Sequence, residues 1–95
     1  MSQPKIIVSD RAVNSMRRLL DNIKSTSLIG AEEARTVIMN RIRKLAANST
    51  AADSRKANFV TLEGEFRSIL AWNYRIYYKV DDGQVVVLDI FLDKN

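Results

Sequence analysis

Arg67, Arg75 and Lys79 fall within Glu65 to Leu92, a stretch that otherwise reads as consecutive β-strands. Placed on one sheet face beside Tyr77, these cations would form a surface for an anionic ligand or an acidic partner. The plainer reading is that strand cations face water and discourage edge-to-edge aggregation. Six further cations lie between Arg35 and Lys56 (Arg35, Arg41, Arg43, Lys44, Arg55 and Lys56) against one acid, Asp53. That run can track phosphates, although a solvated helix face is the commoner explanation.

What the chain lacks narrows its chemistry further. It contains no cysteine and no histidine, which removes disulfides, thiolate metal sites, thiol nucleophiles and the commonest general base. Any hydrolysis would run on Lys, Arg, Tyr, Ser or a carboxylate. There is no glycine-rich phosphate loop, no metal-ligand spacing and no nucleophile elbow, so neither a cofactor nor a metal is expected. With 15 basic and 11 acidic residues the net charge is +4, favouring an acidic or polyanionic partner.

The elements that would position these residues follow from hydrophobic periodicity. Lys5 to Val8 is a β-branched first strand, with Ser9 or Asp10 as the N-cap of the next helix. Ala12, Val13, Met16, Leu19, Leu20 and Ile23 make one stripe of a helix of about four turns. A second helix is predicted over Ala31 to Ala47, just after Gly30, with Glu32 and Glu33 in its first turn and Ala34, Val37, Ile38, Ile42 and Leu45 on its buried side. The short connection makes the two helices an antiparallel hairpin.

Asn48 to Asn58 carries no large apolar residue and reads as an exposed loop. Phe59 to Leu62 is either a short strand or an extended lead-in to a Glu63-Gly64 turn. Two-residue turns are then predicted at Trp72-Asn73 and Asp82-Gly83, the latter a strong hairpin signal. Between them Tyr74, Ile76, Tyr78 and Val80 share one face, while Arg75, Tyr77 and Lys79 share the other. Arg67 is expected on or near the same face as Arg75 and Lys79.

Gln84 to Leu92 is apolar except for Asp89 and reads as the central strand, covered on both faces. Asp89 needs a donor or cation there, and a structural pairing with a nearby Arg or Lys is expected. Trp72, Tyr74, Tyr77 and Tyr78 can act as base-stacking platforms. Packing is the favoured role for all but Tyr77, which the alternation sets among the cations.

The element order predicts an α+β domain, an N-terminal helix hairpin packed on a small, mostly antiparallel sheet, to which the first strand can add a parallel edge. At 95 residues the chain suits one domain, residues 1–95. Its longest apolar run is far short of the roughly 20 residues of a membrane span. The first ten residues lack the features of a signal peptide, so a cytoplasmic location without membrane contact is expected.

The segment Phe66-Arg67-Ser68-Ile69, followed by Tyr74-Arg75-Ile76-Tyr77-Tyr78-Lys79-Val80, an Asp-Gly turn and a valine-rich strand, resembles the RelE/ParE superfamily of toxins from type II toxin-antitoxin operons. The likeness covers nearly the whole chain. It implies a cognate antitoxin and two candidate activities. The RelE-like branch cleaves ribosome-bound mRNA with cations on a concave sheet face; there Arg67, Arg75 and Lys79 would be catalytic, Arg75 matching the family arginine. The ParE-like branch lacks that set and poisons DNA gyrase.

The two long helices, the Gly30-Ala31-Glu32-Glu33-Ala34 helix start, the missing histidine and the few residues after Leu92 (only Asp93, Lys94 and Asn95) look more like the ParE branch. The expectation is therefore a non-enzymatic gyrase inhibitor, with a ribosome-dependent nuclease acting on mRNA as the alternative. Its partner contacts are expected at Arg67, Arg75, Tyr77 and Lys79 on the sheet and Met16, Leu20 and Ile38 on the helices.

Overall fold

The computed structural model describes residues 5–47, 55–61, 64–81 and 83–93. The chain runs β1 (Lys5–Val8), α1 (Asp10–Lys24), α2 (Leu28–Ala47), β2 (Arg55–Thr61), β3 (Gly64–Ala71), β4 (Tyr74–Asp81) and β5 (Gln84–Leu92). The sheet order is β1-β5-β4-β3-β2. Every pairing is antiparallel except β1 with β5, which is parallel. The expected α+β architecture is present, including the parallel edge.

Each helix start has a local cause. Ser9 caps α1: its Oγ accepts from the Ala12 N–H (3.1 Å) and donates to the Leu88 carbonyl (3.0 Å), fastening the helix entry to β5. Ser27 caps α2 in the same way, its Oγ accepting from the Gly30 N–H at 3.0 Å. The second helix therefore begins three residues before the predicted Ala31. Glu32 and Glu33 sit one turn in, and the first turn holds no acid. A Cβ at Gly30 would lie 3.2 Å from Ser27 Oγ and 3.4 Å from Ile23 Cγ2, a tight fit that those two side chains would have to relieve.

Ala34, Ile38, Ile42 and Leu45 recur at helical spacing on α2 and are buried against Ile69, Ile76, Tyr78, Val85, Val87 and Ile90 of the sheet. Met16, Leu19, Leu20 and Ile23 of α1 close the same core from its margin and stay partly exposed. Ile38, expected at a partner contact, is instead 0% exposed. It belongs to the core, because its position on the stripe points it at the sheet.

Two strand expectations also change. β2 starts at Arg55, inside the predicted loop, because backbone pairing with β3 recruits a polar segment that has no strand pattern of its own. Asn48 to Ser54, Leu62 and Glu63 lie outside the described residues, as does Asp82 of the predicted Asp82-Gly83 turn. β5 is flanked by β1 and β4, and on its second face Asp89 meets α1 while Phe91 is exposed. Its apolar run reflects one buried face and one partly open face.

Truncating Ile38 should leave a cavity under α2. Ile38→Ala is expected to lower unfolding stability by about 2–5 kcal/mol, measured by urea denaturation. A loss below about 1 kcal/mol would contradict its assignment to the core.

Candidate functional site

The two-residue turn at Trp72-Asn73 pairs Ala71 with Tyr74 and sets the whole β3–β4 register: Ile69 faces Ile76, Arg67 faces Tyr78, Ser68 faces Tyr77 and Phe66 faces Lys79. Directly paired residues share a sheet face. Arg67 therefore lies on the helix-covered face with Tyr78, opposite Arg75, Tyr77 and Lys79. The expectation that Arg67, Arg75 and Lys79 share a face is corrected here, since a turn of even length puts Arg67 in phase with Tyr78.

On the open face, three rows cross the sheet. Leu70, Arg75 and Phe91 form the first, Ser68, Tyr77 and Asp89 the second, and Phe66, Lys79 and Val86 the third. Between Tyr77 and Tyr78 the β4–β5 register slips by one residue, leaving Leu88 as the extra residue of a bulge. The bulge lets the Asp89 carboxylate meet α1, where Ser15 Oγ donates to it at 2.6 Å and Arg11 Nε at 3.2 Å. The expected pairing of Asp89 with a cation is thus present, and Arg11 supplies it.

Arg75 is only 5% exposed. Its Nη2 donates to Asp93 Oδ2 at 2.9 Å and its Nη1 to Ser68 Oγ at 3.4 Å. Asp93 is itself held by its N–H donating to the Asn73 carbonyl at 2.7 Å, so the hairpin turn and the end of β5 clamp the guanidinium between them. The residue most expected to bind an anion is already neutralised and buried. Lys79 is half-buried beside Phe66 and Val86, and Tyr77 stacks on Phe91 with ring centroids 5.2 Å apart. Among the described side chains, this face presents exposed Leu70, Tyr77 and Phe91 around the half-buried Lys79, with Arg11 and Asp89 at the Tyr77–Phe91 end, and the register places Arg55 of β2 in the Ser68–Tyr77 row.

The helices build a second surface. Val13, Met16, Leu20 and Met39 line an open groove of about 360 Å³ between α1 and α2, flanked by Arg17 and Arg35. Met16 and Leu20, two of the expected contacts, meet here. The reading of the sequence missed Arg17, Arg35, Leu70, Phe91 and Asp93. Cations on a helix read first as a solvated face, and the parity of Phe91 cannot be followed past a bulge that has no local signature.

Among the described residues no group of three or more carboxylates, histidines or cysteines converges on a metal-sized site, and no helix is long and apolar enough to cross a membrane. The arrangement is a small α+β domain in which Arg67 is separated from Arg75 and Lys79 by the sheet. Residues 6–94 match the family model described as ParE toxin of type II toxin-antitoxin system, parDE. The chain belongs to this ParE toxin family.

A solved structure described as the chromosomal ParDE TA system from P. aeruginosa superimposes with a TM-score of 0.81 over 97% of this chain and 98% of that one. At 13% identity the likeness speaks for the fold alone. No curated protein matches the sequence.

Removing either member of the Arg75–Asp93 pair should destabilise the fold. Arg75→Ala or Asp93→Ala is expected to cost about 1–3 kcal/mol, at the lower side for a buried pair because Asp93 is partly solvated. A double-mutant cycle should return a coupling of about 1–2 kcal/mol, and a coupling near zero would show the contact to be incidental.

Proposed function

We propose that the chain is the toxin of a type II toxin-antitoxin pair that inhibits DNA gyrase by protein docking and blocks replication until its antitoxin neutralises it. The observation that carries this reading is the separation of Arg67 from Arg75 and Lys79, the three cations a nuclease face would bring together. Arg67 lies on the opposite face with Tyr78, Arg75 is ion-paired with Asp93, and Lys79 is half-buried with Phe66 and Val86 as its cross-strand neighbours. Phosphoryl transfer needs preorganised charges converging on one reacting group. Family membership supports the same side of the choice, and the mRNA-cleaving alternative loses its geometric basis.

The hairpin groove suits an antitoxin helix whose apolar stripe enters between Val13, Met16, Leu20 and Met39, with acidic residues at its margins meeting Arg17 and Arg35. The rest of such an antitoxin would lie across Tyr77, Phe91 and Leu70 on the open sheet face, near Lys79. A net charge of +4 speeds encounter with an acidic chain.

Two measurements test this. Purified toxin should abolish ATP-dependent supercoiling of relaxed plasmid by purified gyrase, with activity restored by equimolar antitoxin; undiminished supercoiling at large toxin excess would contradict the reading. Reversing both groove cations, Arg17→Glu with Arg35→Glu, should weaken antitoxin binding roughly ten- to thirtyfold at low salt and flatten its salt dependence. Calorimetry at two ionic strengths checks this, and an unchanged Kd would remove the groove from the antitoxin interface.

A further inference from the structure

Trp72 occupies the first central position of the β3–β4 turn with φ +55, while Asn73 has no positive φ. That is the sign pattern of a type II′ turn, whose first central position is normally glycine. A bulky side chain there holds a strained backbone. Folding recovers little in return, because Trp72 is 61% exposed. Strain retained for an exposed aromatic is the signature of a residue placed to contact something else.

Its surroundings complete a groove. Ile29, Glu32, Glu33, Thr36 and Val37 recur at the spacing of a single α2 stripe and, with Trp72, enclose an open cleft of about 380 Å³. Ile29 is 71% exposed at the start of the helix. At the far end Arg41, one turn beyond Val37, donates from Nε to the Leu70 carbonyl at 3.0 Å, tying α2 to the strand that leads into the turn. The cleft therefore lies between Trp72 on one side and an α2 stripe that mixes Ile29 and Val37 with Glu32, Glu33 and Thr36 on the other.

Its charge sets it apart from the other surfaces. On a chain of net charge +4, the ionisable groups that line this cleft among the described residues are two acids, Glu32 and Glu33. An acidic antitoxin is repelled here and drawn to the Arg17–Arg35 groove. We propose that the Trp72–Ile29 cleft docks a basic segment of the toxin's target protein, with one apolar anchor seated between Trp72 and Ile29 and flanking Lys or Arg side chains paired with Glu32 and Glu33. This rests on the reading that the chain acts by docking to a protein target. Trp72 contributes the large, rigid contact area typical of an interface anchor.

Trp72→Gly separates binding from folding, because glycine relaxes the positive φ while removing the anchor. The test compares the full chain, Trp72→Gly and the double variant Glu32→Lys/Glu33→Lys for growth arrest on induction, thermal unfolding and capture by the antitoxin. The expected result is that both variants lose at least tenfold in killing, that Trp72→Gly unfolds at the same or a higher Tm, and that antitoxin capture is unchanged for both. Killing by Trp72→Gly equal to that of the parent chain would overturn the proposal, as would a parallel loss of antitoxin capture. If the parent arrests growth without inhibiting purified gyrase, the gyrase reading fails while the comparison of variants still decides the docking cleft. A parent chain without effect on growth would contradict both.

Discussion

The tight turn at Trp72-Asn73 decides what this sheet can do. By pairing Ala71 with Tyr74 it fixes which residues of β3 and β4 stand together on each face. Because side chains alternate with a period of two, a slip of one residue would exchange the faces of an entire strand. The register observed puts Ile69, Ile76 and Tyr78 under the helices, and it carries Arg67 to that side as well. Burial of this apolar set resists any shift, so the separation of Arg67 from Arg75 and Lys79 is built into the core.

Charge in the remaining structure is used locally. Arg75 is spent on Asp93 and Ser68, and Arg11 with Ser15 satisfies the Asp89 carboxylate that a bulge directs to α1. What remains for partners is mostly apolar surface with charges at its margins: a groove edged by two arginines, an open sheet face around Tyr77 and Phe91, and a cleft edged by two glutamates. Surfaces of opposite sign let one small chain discriminate between partners of opposite charge. Such a layout suits a protein that must be held by one partner and act on another.

Much of this was legible in the residues. The order of elements, the stripe on each helix, the two hairpin turns and the alternation of Tyr74, Ile76 and Tyr78 against Arg75, Tyr77 and Lys79 all follow from periodicity and turn chemistry. The phase of Arg67 was also available, since an even-length turn implies its pairing with Tyr78. Other features were not. The Leu88 bulge has no local signature and changes the company kept by Asp89 and Phe91. The polar start of β2 at Arg55 is imposed by pairing with β3, and Ile38 differs from Met16 and Leu20 only in where the sheet lies beneath it.

The central claim is that the toxin disables a protein target by docking and leaves RNA intact. Plasmid topology and transcript integrity, followed together in one culture as the toxin is induced, test it most directly. The account predicts that negative supercoiling is lost while messenger RNAs remain full length. Transcripts cut within ribosome-bound codons, with plasmid supercoiling unchanged, would contradict it.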